Sequence, residues 1–264
     1  MKAQAVKKRF VLILFLLVGW GALALTFSQP VQSYLEAVKG LSGSPQVKDP
    51  LLAEIIALSR TINEEPVDAR IDRVWKAIPG YNGLEVDISR SYALAKKMGR
   101  VDLRHLVIKE VEPEINLDDL PPAAIYRGNP KKPAIALMIN VAWGTEHIEP
   151  MLEVLRQYQV RATFFLDGKW LERSERTAAL ILKEGHEIGN HAYSHPDLRR
   201  LKMTEIRTEI AKTEELIRQL GTRSRFFAPP AGAYDDRVVQ VARQFNMHTV
   251  MWTLDTVCIL PMRY

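Results

Sequence analysis

A chain of 264 residues, 47% apolar and 25% charged, is long enough to bury a core and too apolar to be a disordered tract. Its net charge of +5 is not a nucleic-acid signal, because Lys2, Lys7, Lys8 and Arg9 all precede the first acidic residue and leave the remainder close to neutral. The single cysteine, Cys258, excludes an internal disulfide and a zinc cluster built from cysteines.

Behind the basic cluster, Phe10 to Phe27 carries no charge, and the uncharged stretch continues to Leu35. Residues 1–35 therefore read as a secretory signal peptide, with Ala22-Leu23-Ala24 as a small-residue cleavage site, or as a retained membrane anchor. Either choice places the rest of the chain outside the cytoplasm, anchored to the membrane or in the extracellular and cell-wall space. Residues 36–49, with "KGLSGSPQVKDP", form a linker. Residues 50–117 read as a small α/β domain: "LLAEIIALSRTI" and "VDARIDRVWKAI" as amphipathic helices, "LEVDI" as a strand, "SRSYALAKKMG" as a helix ending at Gly99, and "LRHLVIKEVE" as a strand containing a structural His105. The proline-rich stretch 118–131 reads as a stiff linker.

From Lys132 onward, short apolar runs alternate with helical patterns. The strands are "AIALMINVAW", "RATFFLDG", "HEIGNHA", "SRFFAPP" and "HTVMWTLD", and helices separate each from the next. Repeated β-α units with apolar strands predict a parallel sheet covered by helices, open or closed into a barrel. No glycine-rich phosphate loop follows the first strand and no G-x-S-x-G elbow occurs, which lowers nucleotide-binding and serine-hydrolase readings. Asp235 and Asp236 open a helix pattern, where capping accounts for them.

The strand "HEIGNHA" runs into Tyr193-Ser194-His195-Pro196, so His191 and His195 stand four apart just past a strand end, where functional groups of parallel α/β sheets collect. Pro196 disfavours helix at His195 and argues for a loop. Two neutral imidazoles converging from one loop suit zinc or a similar divalent ion, although such a pair taken alone is more often structural.

Read together, "IALMINVAWG", "RATFFLDGKW", "KEGHEIGNHAYSHPDLRRL", "FFAPPAGAYDD" and "MWTLDT" resemble, in order and spacing, the NodB-homology polysaccharide deacetylase family, and most closely the deacetylase-like proteins of endospore-forming bacteria, which implies a sporulation context. The resemblance covers Lys132 to about Val257. It implies an α/β fold, a distorted (β/α) barrel over residues 132–264, and an activity that hydrolyses N-acetyl groups of peptidoglycan or chitin-like glycans. In the family a metal held by an Asp and two histidines lowers the pKa of bound water, a second Asp takes its proton, and a C-terminal histidine protonates the leaving amine.

His191 and His195 match the two metal histidines, and other positions depart. Asn140 stands at the base position and Val141 at that of the metal carboxylate. Ala228-Pro229-Pro230-Ala231-Gly232 has lost the family's arginine but keeps Pro229, Pro230 and Gly232 at substrate-binding positions, and Asp255 is a further catalytic candidate. An amide cannot accept a proton at neutral pH, and loss of a general base costs roughly 10² to 10⁴ in rate. Glu146, Asp167 and Asp255 are conceivable replacement ligands, each more simply a surface or helix-terminal carboxylate. The expected protein is an exported, deacetylase-like pseudoenzyme that binds N-acetylated cell-wall polysaccharide, has an incomplete zinc site and touches the membrane through its N-terminal segment. The alternative is an active metal-dependent N-deacetylase of altered mechanism. The family pattern breaks after Val257 into "CILPMRY", which predicts a shifted or prematurely ended reading frame over residues 258–264 and a barrel incomplete at its C-terminus.

Overall fold

The computed structural model describes residues 49–255. Segment 1–35, residues 36–48 of the tether, and Cys258 to Tyr264 with the expectation attached to them lie outside the described residues. Among the described residues no helix is long and apolar enough to cross a membrane. They divide into two compact units, residues 49–61 with 87–107 and residues 62–86 with 108–255.

In the first unit, helix α1 (Pro50–Ile62) begins where the Asp49 carboxylate accepts the Leu51 N–H at 2.9 Å. The other oxygen of Asp49 accepts the Tyr92 hydroxyl at 2.5 Å. Helix α2 (Ile88–Met98) has the ends its sequence announces: Asp87 accepts the Arg90 N–H at 2.9 Å, and Gly99 leaves the helix with φ +67°. His105 sits in a 3₁₀ turn (Leu103–His105), 3.7 Å from Asp102, and not in a strand.

The second unit opens with two antiparallel hairpins. Strand β1 (Arg70–Asp72) pairs with β2 (Lys76–Ile78), and β3 (Gly83–Val86) pairs with β4 (Ile108–Val111). The first hairpin replaces the helix expected over residues 67–78. Asp72 is the local cause: one carboxylate oxygen accepts the N–H groups of both Val74 and Trp75 at 2.8 Å and holds the turn. The rest is tertiary. Ala77 donates its N–H to Ala124 O at 3.0 Å, and Lys76 bridges to Ile125, so strand pairing overrides the helical period. Ile125 also bridges to Val250 and is buried, which seats the proline-rich stretch against the sheet that follows.

That sheet is parallel, and its strands lie in sequence order: β5 (Met138–Val141), β6 (Thr163–Leu166), β7 (Glu187–Asn190), β8 (Phe226–Phe227) and β9 (His248–Thr249). Consecutive parallel neighbours joined by helices form the wall of a (β/α) barrel. The helices are α3 (Ile148–Gln157), α4 (Gly168–Arg173), α5 (Glu175–Lys183), α6 (Met203–Gln219) and α7 (Asp236–Gln244). Two apolar clusters bind them to the sheet. Val141, Phe164, Leu166 and Ile188 pack with Leu152, Leu155, Ile181 and Ile217; Phe227 packs with Ile206, Ile210, Val238 and Val241. The short helix α4 has no counterpart in the sequence reading. It exists because Asp167 caps it and because Gly168 and Lys169 donate their N–H groups to Ala192 O and Tyr193 O at 2.9 Å.

Gly168 is required by this close approach, since a Cβ there would lie 2.5 Å from the Tyr193 ring and 2.6 Å from the Thr213 hydroxyl. Gly168→Ala is expected to destabilise the protein by about 1–3 kcal/mol, read as a lowered urea midpoint with unchanged slope.

Candidate functional site

The backbone ladder lines up the ends of four strands. Val141, Leu166, Asn190 and Phe227 are register partners across β5 to β8. The next row continues the ladder: Asp167 donates to Val141 O at 2.9 Å, His191 to Leu166 O at 3.0 Å, Ala228 to Asn190 O at 3.0 Å, and Val250 to Phe227 O at 2.8 Å. Asn140, the loop from His191 to His195, and the segment Ala228 to Gly232 therefore gather at the carboxyl end of one sheet, as read from the sequence.

His191 is 2% exposed. Its Nδ1 lies 2.7 Å from Ala228 O, and because a carbonyl only accepts, Nδ1 carries the hydrogen and Nε2 is the free acceptor of the neutral ring. Burial holds its pKa down at about 4, a shift opposed by the Ala228 bond and added to by His195. The two imidazoles lie edge to face with ring centres 5.2 Å apart.

Two residues shape this loop, Asn190 inside the quoted motif and Glu209 outside every motif. Asn190, fully buried, accepts the Ala192 N–H and donates to Ile210 O, both at 3.0 Å. Glu209 of α6 accepts the N–H groups of Tyr193 and Ser194 at 3.0 and 2.8 Å and the Ser194 hydroxyl at 2.9 Å. Glu209 lies 15 residues beyond Ser194, so no local spacing signals the contact. Held this way, Ala192 and His195 adopt φ +61° and +56°, and Ala231 in the facing segment adopts φ +51°. Left-handed backbone at non-glycine residues is strained and clusters at functional sites.

The remaining candidates fall as follows. Asn140, next to last in β5, is exposed. Val141, 2% exposed, points into the apolar cluster under the helices. Pro230 is buried, and Gly232 (φ +67°) lies close under Met251 and Trp252. Asp255 is exposed beyond β9. Glu146 is exposed and 3.5 Å from His147. Asp167 is 3% exposed; burial raises its carboxyl pKa, opposed by the Trp170 N–H bond and by His195.

Residues 127–250 match the family model for polysaccharide deacetylase. The chain is 44% identical to wild-type BA3943, a CE4 family pseudoenzyme from Bacillus anthracis whose crystal structure superposes with a TM-score of 0.69 over 80% of this chain and 75% of that one. It belongs to the polysaccharide deacetylase family. A BA3943 mutant described as having restored enzymatic activity is equally similar, at 43% identity and a TM-score of 0.69 over 79% and 77% of the two chains. YlxY of Bacillus subtilis is 46% identical over 211 residues, 80% of this chain and 66% of that protein. A peptidoglycan-N-acetylglucosamine deacetylase of Bacillus cereus is 37% identical over 136 residues, 51% of this chain and 50% of the enzyme. The chain thus spans about two thirds of the first of these curated relatives and half of the second.

Polysaccharide deacetylases generally use a divalent metal, and the donors here fit that use incompletely. Two imidazoles face each other, but the apolar Val141 cannot coordinate, and among the described residues no three His, Cys, Asp or Glu side chains are arranged to hold an ion.

The buried imidazole makes a prediction for the metal-free protein. The unfolded chain takes up a proton near the ordinary histidine value of 6.5, whereas folded His191 resists it down to about 4. The unfolded state binds more protons between those values, so the contribution of His191 is complete above pH 6.5 and is lost as pH falls toward 4, by about 3 kcal/mol in all. Urea unfolding at about pH 7.5 and about pH 4.5 should show this loss, and His191→Gln should remove most of it.

Proposed function

We propose that this protein is an exported, cell-wall-facing polysaccharide deacetylase homologue that binds N-acetylated glycan, peptidoglycan or chitin-like, without deacetylating it efficiently. The observation that carries this reading is a strained strand-end scaffold maintained around a site without its base. Three left-handed non-glycine residues, at roughly 1–3 kcal/mol each, remain in place at Ala192, His195 and Ala231. Asn140 stands where the family has its general base, and an amide takes no proton at neutral pH.

What such a site retains is recognition. The exposed Asn140 amide both donates and accepts, suiting a sugar hydroxyl or an N-acetyl group. The free Nε2 of neutral His191 can accept a hydrogen bond, and the buried Pro229 and Pro230 stiffen the segment that carries the half-buried Gly232. The pseudoenzyme description of BA3943 supports impaired catalysis, and the names of the peptidoglycan deacetylase relatives support the glycan. Export, through a cleaved signal or a retained anchor in residues 1–35, rests on the basic cluster ahead of the uncharged run, and a sporulation role rests on resemblance alone.

The full chain in mild detergent, mixed with insoluble peptidoglycan and separately with N-acetylglucosamine oligomers, tests the reading. Co-sedimentation with peptidoglycan and acetate release no higher than from the His191→Ala variant are expected. Acetate release well above that variant, or failure to sediment, overturns it.

A further inference from the structure

Among the described residues the exposed aromatic side chains are Trp75, Trp143 and Tyr158. Trp75 lies on the β1–β2 turn with the Arg127 guanidinium 5.3 Å over its ring, and Tyr158 follows α3 at the amino ends of the strands. Trp143 is the one at the carboxyl ends, two residues beyond Val141 and three beyond Asn140. It is also the barest of the three, at 81% exposed.

A single exposed apolar side chain is ordinary; what sets Trp143 apart is the frame that holds it out. Before it, Val141 is buried in the apolar cluster and its carbonyl accepts the Asp167 N–H at 2.9 Å. After it, Gly144 turns with φ +76° and its carbonyl accepts the His147 N–H at 3.0 Å. Thr145 Oγ1 accepts the indole N–H of Trp170, from α4, at 2.9 Å. Trp170 is 2% exposed, so one indole is buried to anchor the loop and the other, two residues from that anchor, stays in solvent. A ring on an anchored loop loses little conformational freedom when a ligand settles on it, which is what a binding platform requires.

The residues on either side of the strand end define the ligand. A pyranose ring carries hydroxyl and amide groups around its rim and C–H bonds on its face. Those polarised C–H bonds suit the negative face of an indole, and the rim remains free for an amide such as that of Asn140, which both donates and accepts. We propose that Trp143 is a stacking platform for one N-acetylhexosamine ring of the glycan, so that the loop after β5 selects a carbohydrate at the strand ends. This inference rests on the glycan reading above and deepens it.

The test titrates the full chain in mild detergent with N-acetylglucosamine oligomers, followed by calorimetry and by tryptophan emission. Wild-type protein should bind with emission moved to shorter wavelength as an indole leaves water. Trp143→Ala should bind about 10-fold or more weakly, the scale for truncating an aromatic anchor. Trp143→Phe keeps a flat face and should retain most of the affinity while losing the emission shift, a split that a change of fold would not produce. Because the side chain is exposed, both variants should keep the wild-type urea midpoint. Calorimetric affinity of Trp143→Ala equal to wild type, or an emission shift that persists in Trp143→Phe, overturns the platform and leaves the glycan reading standing. Wild-type protein that binds neither the oligomers nor insoluble peptidoglycan overturns the glycan reading itself, and the platform with it.

Discussion

Everything at the strand ends depends on the parallel register that aligns Val141, Leu166, Asn190 and Phe227. A slip of one residue would exchange the two faces of a strand, sending Leu166 out of the apolar cluster and Asp167 into it. The register is therefore set by apolar burial under the helices, and the chemistry of the next row follows from it. Gly189 belongs to the same constraint: a Cβ there would lie 2.5 Å from the Phe165 ring, so β6 and β7 come together only over a glycine.

Above that row, polar side chains add to the apolar burial of Ala192 and Leu198, with Asn190 fully buried and Glu209 half-buried. Asn190 and Glu209 together satisfy the backbone of Ala192, Tyr193 and Ser194, and this permits left-handed conformations that the isolated loop would not hold. The loop is then a rigid shelf for His191 and His195, whatever the shelf carries. A fold can keep such a shelf while losing a base, because base and scaffold reside on different strands: Asn140 on β5, the shelf on β7 and α6.

Surface charge is used locally. Asp102-Leu103-Arg104, Asp197-Leu198-Arg199 and Asp235-Asp236-Arg237 repeat one device, in which the Asp accepts the N–H two residues on and pairs with the Arg guanidinium. Each pair is exposed enough to add little stability as a salt bridge, yet each pins the start of a helical turn. Each pair neutralises its own charge locally, in keeping with the near-neutral balance behind the N-terminal cluster.

The alternation of β and α from Lys132 and the capped ends of α2 and α7 were legible in the sequence, because each depends on contacts within a few residues or on a repeating apolar period, whereas the meeting of the His191 loop with Ala228 to Gly232 bridges 37 residues at His191 and Ala228 and was expected only from the family resemblance. The hairpin at residues 70–78 was not legible: Ile71, Val74 and Trp75 carry a helical spacing, and the Asp72 turn selects strands only together with pairing to Ala124 and Ile125, some fifty residues later. Glu209 was equally hidden. A glutamate on a polar helix face has an ordinary local explanation, and its hold on the backbone of Tyr193 and Ser194 exists only once that distant loop is brought to it. Local propensity and period thus decided which elements form, whereas the apolar register between elements decided which polar groups meet, since that pairing is a property of the packed sheet and of no single segment.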